Sequence, residues 1–262
     1  MRRYLTTLKL FWSASLAAEM EYRANFVLAT GSAAATLAGA LFALWALLRT
    51  DYAMNGWGFY EALIVVGVYT VLDGLQQTLL QPNRQQITGL VREGTLDFIL
   101  LKPLDTQFWL SVRKVSIWGV PNVVLGAGLI VFAGLRTDPT VPAVGYLRLL
   151  VPLLLGIAIL YALGYLLSTL TIWFTKMDNI TYAMQALLEA GRYPVGAYPM
   201  AYRVFFTFVM PVAFMTTVPA EAMLGRAGGA SVALAGAIAV LLLVGCRSFW
   251  RYALRHYTSA SS

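Results

Sequence analysis

Five stretches of this chain run without a single Asp, Glu, Lys or Arg: 24–48, 115–135, 149–175, 204–220 and 227–246. A sixth apolar run, 62–80, is interrupted only by Asp73. A helix needs about 20 predominantly apolar residues to cross the hydrocarbon core. The pattern therefore predicts an all-α integral membrane protein with six transmembrane helices. The run 204–220 is the shortest and contains Pro211 and Pro219. Proline removes a backbone donor and clashes with the carbonyl four residues back. In lipid such a break survives only where protein or a water-filled cavity covers the freed groups. A broken or re-entrant outer segment is expected within 204–226. It places Met210, Pro211, Phe214 and Met215 at an outer gate.

Two polar-patterned stretches flank the spans. In residues 3–21, Tyr4, Leu5, Leu8, Phe11, Trp12, Leu16 and Met20 recur at three- and four-residue spacing among charges. That is an amphipathic helix. Its Phe11-Trp12 pair suits an anchor in the membrane interface. The second stretch, 81–113, is the largest loop. It opens at Gln81-Pro82-Asn83-Arg84, read as a break. A short helix can follow, Gly94 interrupts it, and Thr95 can cap a further turn before Lys102-Pro103. The run REGTLDFILLKP at 92–103 is apolar inside and charged at both ends, where lipid cannot cover it.

Composition and charge sharpen this picture. The chain is 59% hydrophobic and 12% charged, against about 25% charged in soluble domains. The net charge of +7 raises the possibility of a nucleic-acid partner, but its distribution argues otherwise. With the N-terminus cytoplasmic, Arg2, Arg3, Lys9, Arg23, Arg84, Arg92, Lys102, Arg113, Lys114, Lys176, Arg192, Arg203, Arg247, Arg251 and Arg255 fall inside. Only Arg49, Arg136, Arg148 and Arg226 fall outside. This asymmetry follows the positive-inside rule and puts both termini in the cytoplasm. No cleavable signal peptide is read, because the first apolar run is too long for one. Short outer loops lean toward a bacterial inner membrane. The small-residue series Gly31, Ala35, Gly39 and Gly229, Ala233, Ala237 fit close helix packing and a dimer seam.

Candidate chemistry is sparse. No phosphate-binding G-x-x-x-x-G-K-[ST] loop occurs, so the chain holds no nucleotide of its own by that route. One histidine, His256, and one cysteine, Cys246, exclude a histidine- or cysteine-rich metal site. Asp73 is the lone acid of an apolar span, and such a residue is a functional candidate by default. Tyr69, Gln76 and Gln77 share its helix face at minus four, plus three and plus four. They make a polar patch along a substrate path. The competing reading is an acid paired with a loop Arg or Lys. The segment Glu189 to Pro199 holds two Tyr-Pro pairs and is read as a cytoplasmic connection between the fourth and fifth spans.

Three segments in order carry a resemblance: REGTLDFILLKPL, RYPVGAYP and VMPVAFMTTVPAEAMLG. With six spans, they resemble the membrane subunit of an ABC-2 family transporter over nearly the whole chain. The resemblance implies an interfacial N-terminal helix, re-entrant outer helices and a coupling helix within 85–101. Arg92, Glu93, Gly94, Leu96, Asp97 and Phe98 would then engage a separate ATPase, present in two copies and carrying the ATP and Mg. A second permease, identical or different, would complete the transporter. The cargo is not implied; an amphipathic, lipid-like or glycan-like molecule fits the aromatic-rich spans. Alternatives are a self-contained channel or secondary transporter, and a membrane enzyme using Asp73 and Glu189.

Overall fold

The computed structural model describes residues 2–19, 23–49, 54, 56–137, 140–174 and 180–257. Residues 20–21 of the leader, most of the 50–58 connection, Asp138 and Lys176 lie outside them, as do the side chains of Tyr4 and Leu5. Among the described residues every regular element is helical.

The leader is α1 (Arg2–Glu19), followed by α2 (Arg23–Arg49) and α3 (Phe59–Leu75). A π-turn, Gln76–Leu80, passes directly into α4 (Gln81–Arg92). The loop region holds α5 (Asp97–Leu100) and α6 (Thr106–Val112), and α7 (Val120–Arg136) and α8 (Ala143–Thr169) follow. Short pieces come next: α9 (Ile180–Glu189), α10 (Met200–Val204) running into a second π-turn (Phe205–Val209), α11 (Val212–Met215) and α12 (Thr217–Met223). The last helix is α13 (Gly229–Arg255). Four described helices are long and apolar enough to cross a membrane: Ala24–Arg49, Phe59–Arg92, Ala143–Ile172 and Gly229–Arg255. Val120–Arg136 and Met200–Val209 are shorter apolar helices.

The expected break at Gln81-Pro82-Asn83-Arg84 does not occur. A proline inside a helix must avoid the carbonyl four residues before it, here that of Thr78. The π-turn moves that carbonyl aside: Gln81 N–H bonds back to Gln76, five residues away. Thr78 O instead accepts from the Ser116 N–H at 2.8 Å. One continuous rod of 34 residues results, from Phe59 to Arg92. The loop therefore begins at residue 93. Asn83 fixes its far side: its amide donates to Lys114 O (2.7 Å) and accepts from Lys114 N (2.9 Å).

α3 is the central helix and is buried along most of its length. It packs antiparallel on α7 with backbones in near contact. A Cβ on Gly74 would lie 2.6 Å from Gly119 O, and one on Gly126 would lie 2.7 Å from Val71 N. Only glycine permits this approach. The small-residue series read from the sequence behave differently: a Cβ on Gly31, Gly39 or Gly229 meets nothing within 4 Å. Those positions pack on none of the described helices.

The Tyr-Pro segment is not a connection at the loop end. Gly191 abuts Val212 and Thr216, and Val195 N–H donates to the Thr217 hydroxyl at 3.1 Å. Tyr193 donates to Ala40 O of α2 at 3.2 Å. Residues 191–197 therefore lie beside 212–217, inside the helix bundle. Arg192 accordingly leaves the set of basic residues read for the loop end.

The chain breaks at Met210–Pro211, where Val212 N–H closes a tight turn on Met210 O (2.6 Å). α11 and α12 then climb alongside α8. Met215 backbone faces Gly156, and Met223 backbone faces Gly145. Gly156 lies thirteen residues into α8, so Met215, which faces it, sits about 20 Å along that helix from its start. The break itself falls at Pro211, the residue expected to interrupt the run 204–220.

α1 packs on the loop rather than standing free. Trp12 indole N–H donates to Val112 O (3.0 Å), Phe11 sits edge-on to Trp109, and Glu19 accepts from Ile117 N–H (2.6 Å). The Phe11-Trp12 pair is thus turned toward the 109–117 segment.

The α3–α7 contact is testable within one helix. Gly126→Ala should lower the thermal unfolding midpoint in detergent, with a loss of roughly 1–3 kcal/mol from overpacking. Gly128→Ala, where a Cβ meets nothing within 4 Å, should cause no loss. Equal midpoints for the two variants would refute the close-contact account.

Candidate functional site

Asp73 sits at the loop-side end of α3, 7% exposed, immediately before the π-turn. Its carboxylate takes three amide donors from three helical elements. Gln77 and Asn122 donate to Oδ2 at 2.7 and 2.9 Å, and Gln185 donates to Oδ1 at 3.0 Å. No ion pair to Asp73 occurs among the described residues. The expected loop Arg or Lys partner is thus replaced by neutral amides. The same network extends to Gln76, whose amide donates to Gln185 Oε1 at 3.1 Å. The π-turn makes this possible by adding a residue to the turn that holds Gln76 and Gln77.

These groups border a cavity of about 350 Å³. α3 contributes Tyr69, Thr70 and Asp73, and Gln77 follows from the π-turn. Trp118 lines it from the turn before α7, Asn122 from the first turn of α7, Gln185 and Glu189 from α9, and Arg192 from beyond α9. α2 closes it with small side chains, among them Ser32, Ala33 and Thr36. Arg192 donates to the Tyr69 hydroxyl at 3.0 Å, lies over the Tyr69 ring, and reaches Glu189 at 3.5 Å. Of the patch read from the sequence, Tyr69, Asp73 and Gln77 line the cavity; Gln76 stands behind it, fully buried. Asp73 and Glu189, distant in sequence, face the same space. Asn122, Gln185 and Arg192 were not singled out from sequence. The signal for Gln185 and Glu189 was their four-residue spacing on one face of α9.

The loop forms a second candidate surface. α4 ends in a Schellman motif: Gly94 has φ +67°, Gly94 N–H bonds to Val91 O, and Thr95 N–H bonds to Leu90 O. The Thr95 hydroxyl does not cap the next turn and has no hydrogen-bond partner among the described residues. Leu96 is 0% exposed and Ile99 is 5% exposed, both within a core of Ile87, Val91, Trp109, Leu110 and Trp250. Leu96 is therefore part of the subunit's interior, not of its outer face. Phe98 and Leu101 are 68% and 82% exposed. Arg92 and Glu93 are exposed beside them, and Asp97 is half-buried. Leu101 was not singled out from the sequence, because the four-residue apolar run 98–101 does not show which side turns inward.

A polar network ties this loop to the bundle. Asp105 caps α6 by accepting from Phe108 N–H (2.9 Å) and pairs with Arg247 of α13. Arg247 also donates to Gln107, which bonds to Tyr161 of α8 at 3.2 Å.

Met210, Pro211, Phe214 and Met215 occupy the deep break. Phe214 and Met215 are 3% and 0% exposed and fill the subunit's own core against α8. Met210 is half-buried.

The model of the ABC-2 family transporter protein family matches residues 34–261. The chain belongs to the ABC-2 family transporter proteins. It is the membrane permease component of an ABC transporter, a multi-pass membrane protein and not itself catalytic. No curated protein and no solved structure is matched. Among the described residues, no group of three His, Cys, Asp or Glu is placed to hold a metal ion.

The loop pairing has a pH signature. Burial pushes the Asp105 carboxyl up, but the Arg247 pairing and the Phe108 N–H outweigh it and hold it below the usual carboxylate range. A depressed folded value contributes stability above the unfolded pKa and loses it as pH falls through the folded one. The unfolding midpoint should therefore drop between about pH 5 and pH 3. In Asp105→Asn that part of the drop should vanish. A variant with the parent's acid profile would show the pair contributes nothing.

Proposed function

We propose that this chain is the membrane half of an ATP-driven exporter. A separate ATPase, with its ATP and Mg, docks on the loop, and cargo passes by the Asp73 cavity. The carrying observation is the split of the loop turn into two sides. Leu96 and Ile99 anchor it in the core, while Phe98 and Leu101 stand exposed between charged residues. Large exposed apolar side chains on a charged loop mark a protein contact. Force applied there reaches α8 and α13 through Asp105, Arg247, Gln107 and Tyr161. It reaches the cavity through Asn83 and the π-turn.

In this reading two ATPase copies serve two permeases, identical or different. Both termini are cytoplasmic, and the membrane is a bacterial inner membrane. Arg92 and Glu93 flank the docking side chains, and Gly94 supplies the reversal that presents them. The Met210–Pro211 dip, with Phe214 and Met215, is the section of the path toward the outer surface.

Phe98→Asp should abolish co-purification with the ATPase encoded alongside, at least tenfold, with permease yield unchanged. Leu96→Asp should instead reduce the yield of the permease itself, by placing a charge in the core. Retained complex and retained ATPase stimulation in Phe98→Asp would reject the docking face.

Orientation is checked independently in a Cys246→Ala background. Cysteine at position 92 should be labelled by an impermeant thiol reagent only after cells are opened. Cysteine at position 226 should be labelled in intact cells. Labelling of position 92 from outside would overturn the topology.

A further inference from the structure

The cavity has a sign. Its wall carries two carboxylates, Asp73 and Glu189, and one guanidinium, Arg192. Arg192 is already engaged with Glu189 and the Tyr69 hydroxyl. Among the described residues Asp73 accepts hydrogen bonds from neutral amides and makes no ion pair. The cavity wall thus holds two acids to one base, set among membrane-spanning helices. There the low dielectric strengthens charge interactions several-fold over water. Around it stand an indole, Trp118, and a strip of small side chains from α2, Ala29, Ala33 and Ala40. An indole face attracts cations, and the small strip leaves room for an apolar body. The Ser32 and Thr36 hydroxyls add no charge.

Resting on the reading of this cavity as the cargo path, we propose that the cargo is a cationic amphiphile. It is an organic molecule with one positive centre, an amine or quaternary onium, on an apolar body. The cation is drawn to the carboxylate excess of Asp73 and Glu189, and the apolar part lies along α2. Anionic amphiphiles, phosphate-bearing lipids included, are disfavoured by the same charge. Asp73 is held in place by its three amides, so Glu189, at the exposed rim, is the residue that adjusts the preference without disturbing the network.

Tetraphenylphosphonium and tetraphenylborate provide the test, because they share a shape and differ in sign. Binding of each is measured on the permease–ATPase complex in nanodiscs, with empty nanodiscs subtracted, and ATP hydrolysis is followed in parallel. Tetraphenylphosphonium should bind at least tenfold more tightly than tetraphenylborate. Glu189→Gln should reduce that ratio several-fold and Glu189→Lys should abolish or invert it, with unfolding midpoints unchanged. Ala33→Trp, which fills the cavity, should abolish specific binding of the cation. If Ala33→Trp blocks binding but tetraphenylborate is preferred, or the Glu189 variants leave the ratio unmoved, the charge assignment fails and the cargo-path reading stands. If Ala33→Trp changes neither binding nor hydrolysis, the cavity is not the path and both readings fall.

Discussion

A backbone carbonyl released inside a bilayer must find a donor within the protein. The most functional parts of this chain are those where an α-helix is interrupted and that demand is met by a distant residue. At the π-turn, Thr78 O is supplied by Ser116. That bond permits Pro82 within a continuous rod, and it brings the loop back against the helix that carries Asp73. At the second interruption, Met210 N–H reaches Phe205 five residues back, and Pro211 then turns the chain. Beyond the turn, α11 and α12 pack against α8 and the Tyr-Pro segment. Both prolines follow a π-turn, so the same local device first preserves a helix and later ends one.

The interruptions explain how the cavity and the loop come to share a mechanical element. Gln77 lines the cavity from the π-turn and Gln76 braces Gln185 behind it, while Asn83, one turn on, holds Lys114 by both backbone groups. A displacement of the loop is transmitted to α4 by that pair of hydrogen bonds. The α3–α7 contact resists it, because backbones packed through Gly74, Gly119 and Gly126 have no flexible side chains to absorb movement. The compliant wall is α2, which is the least buried of the long helices and contributes mostly small side chains to the cavity.

The sequence displays the spans clearly because each is a long uncharged run, and the run length is itself the physical requirement. It displays half of the polar patch for a similar reason: Tyr69, Asp73 and Gln77 are four residues apart on one helix. Asn122, Gln185 and Arg192 belong to other helices, and no local spacing announces which distant amide will meet a buried carboxylate. Pro82 was misleading because the local rule assumes α-helical bonding. The compensating donor is 38 residues from Thr78 in the chain. Glu189 to Pro199 was misplaced because tyrosine and proline read as a surface turn. Its hydroxyls and amides are in fact bonded to Ala40, Ala190 and Thr217 inside the bundle. Leu96 and Phe98 are both large and apolar, two residues apart, and the Schellman turn at Gly94 decides which is turned inward.

The π-turn also fixes a phase. It behaves as one residue inserted into an α-helix, and each residue of an α-helix advances the chain by about 100°. A wide turn takes up that extra residue locally, so the helices on either side keep the phase of an uninterrupted rod. Loss of one residue from 76–80 would close the turn and leave α4 pointing as it does. It would also bring a carbonyl back under the ring of Pro82 and take from Ser116 N–H its partner, Thr78 O. The extra residue is therefore what admits a proline to the middle of the rod.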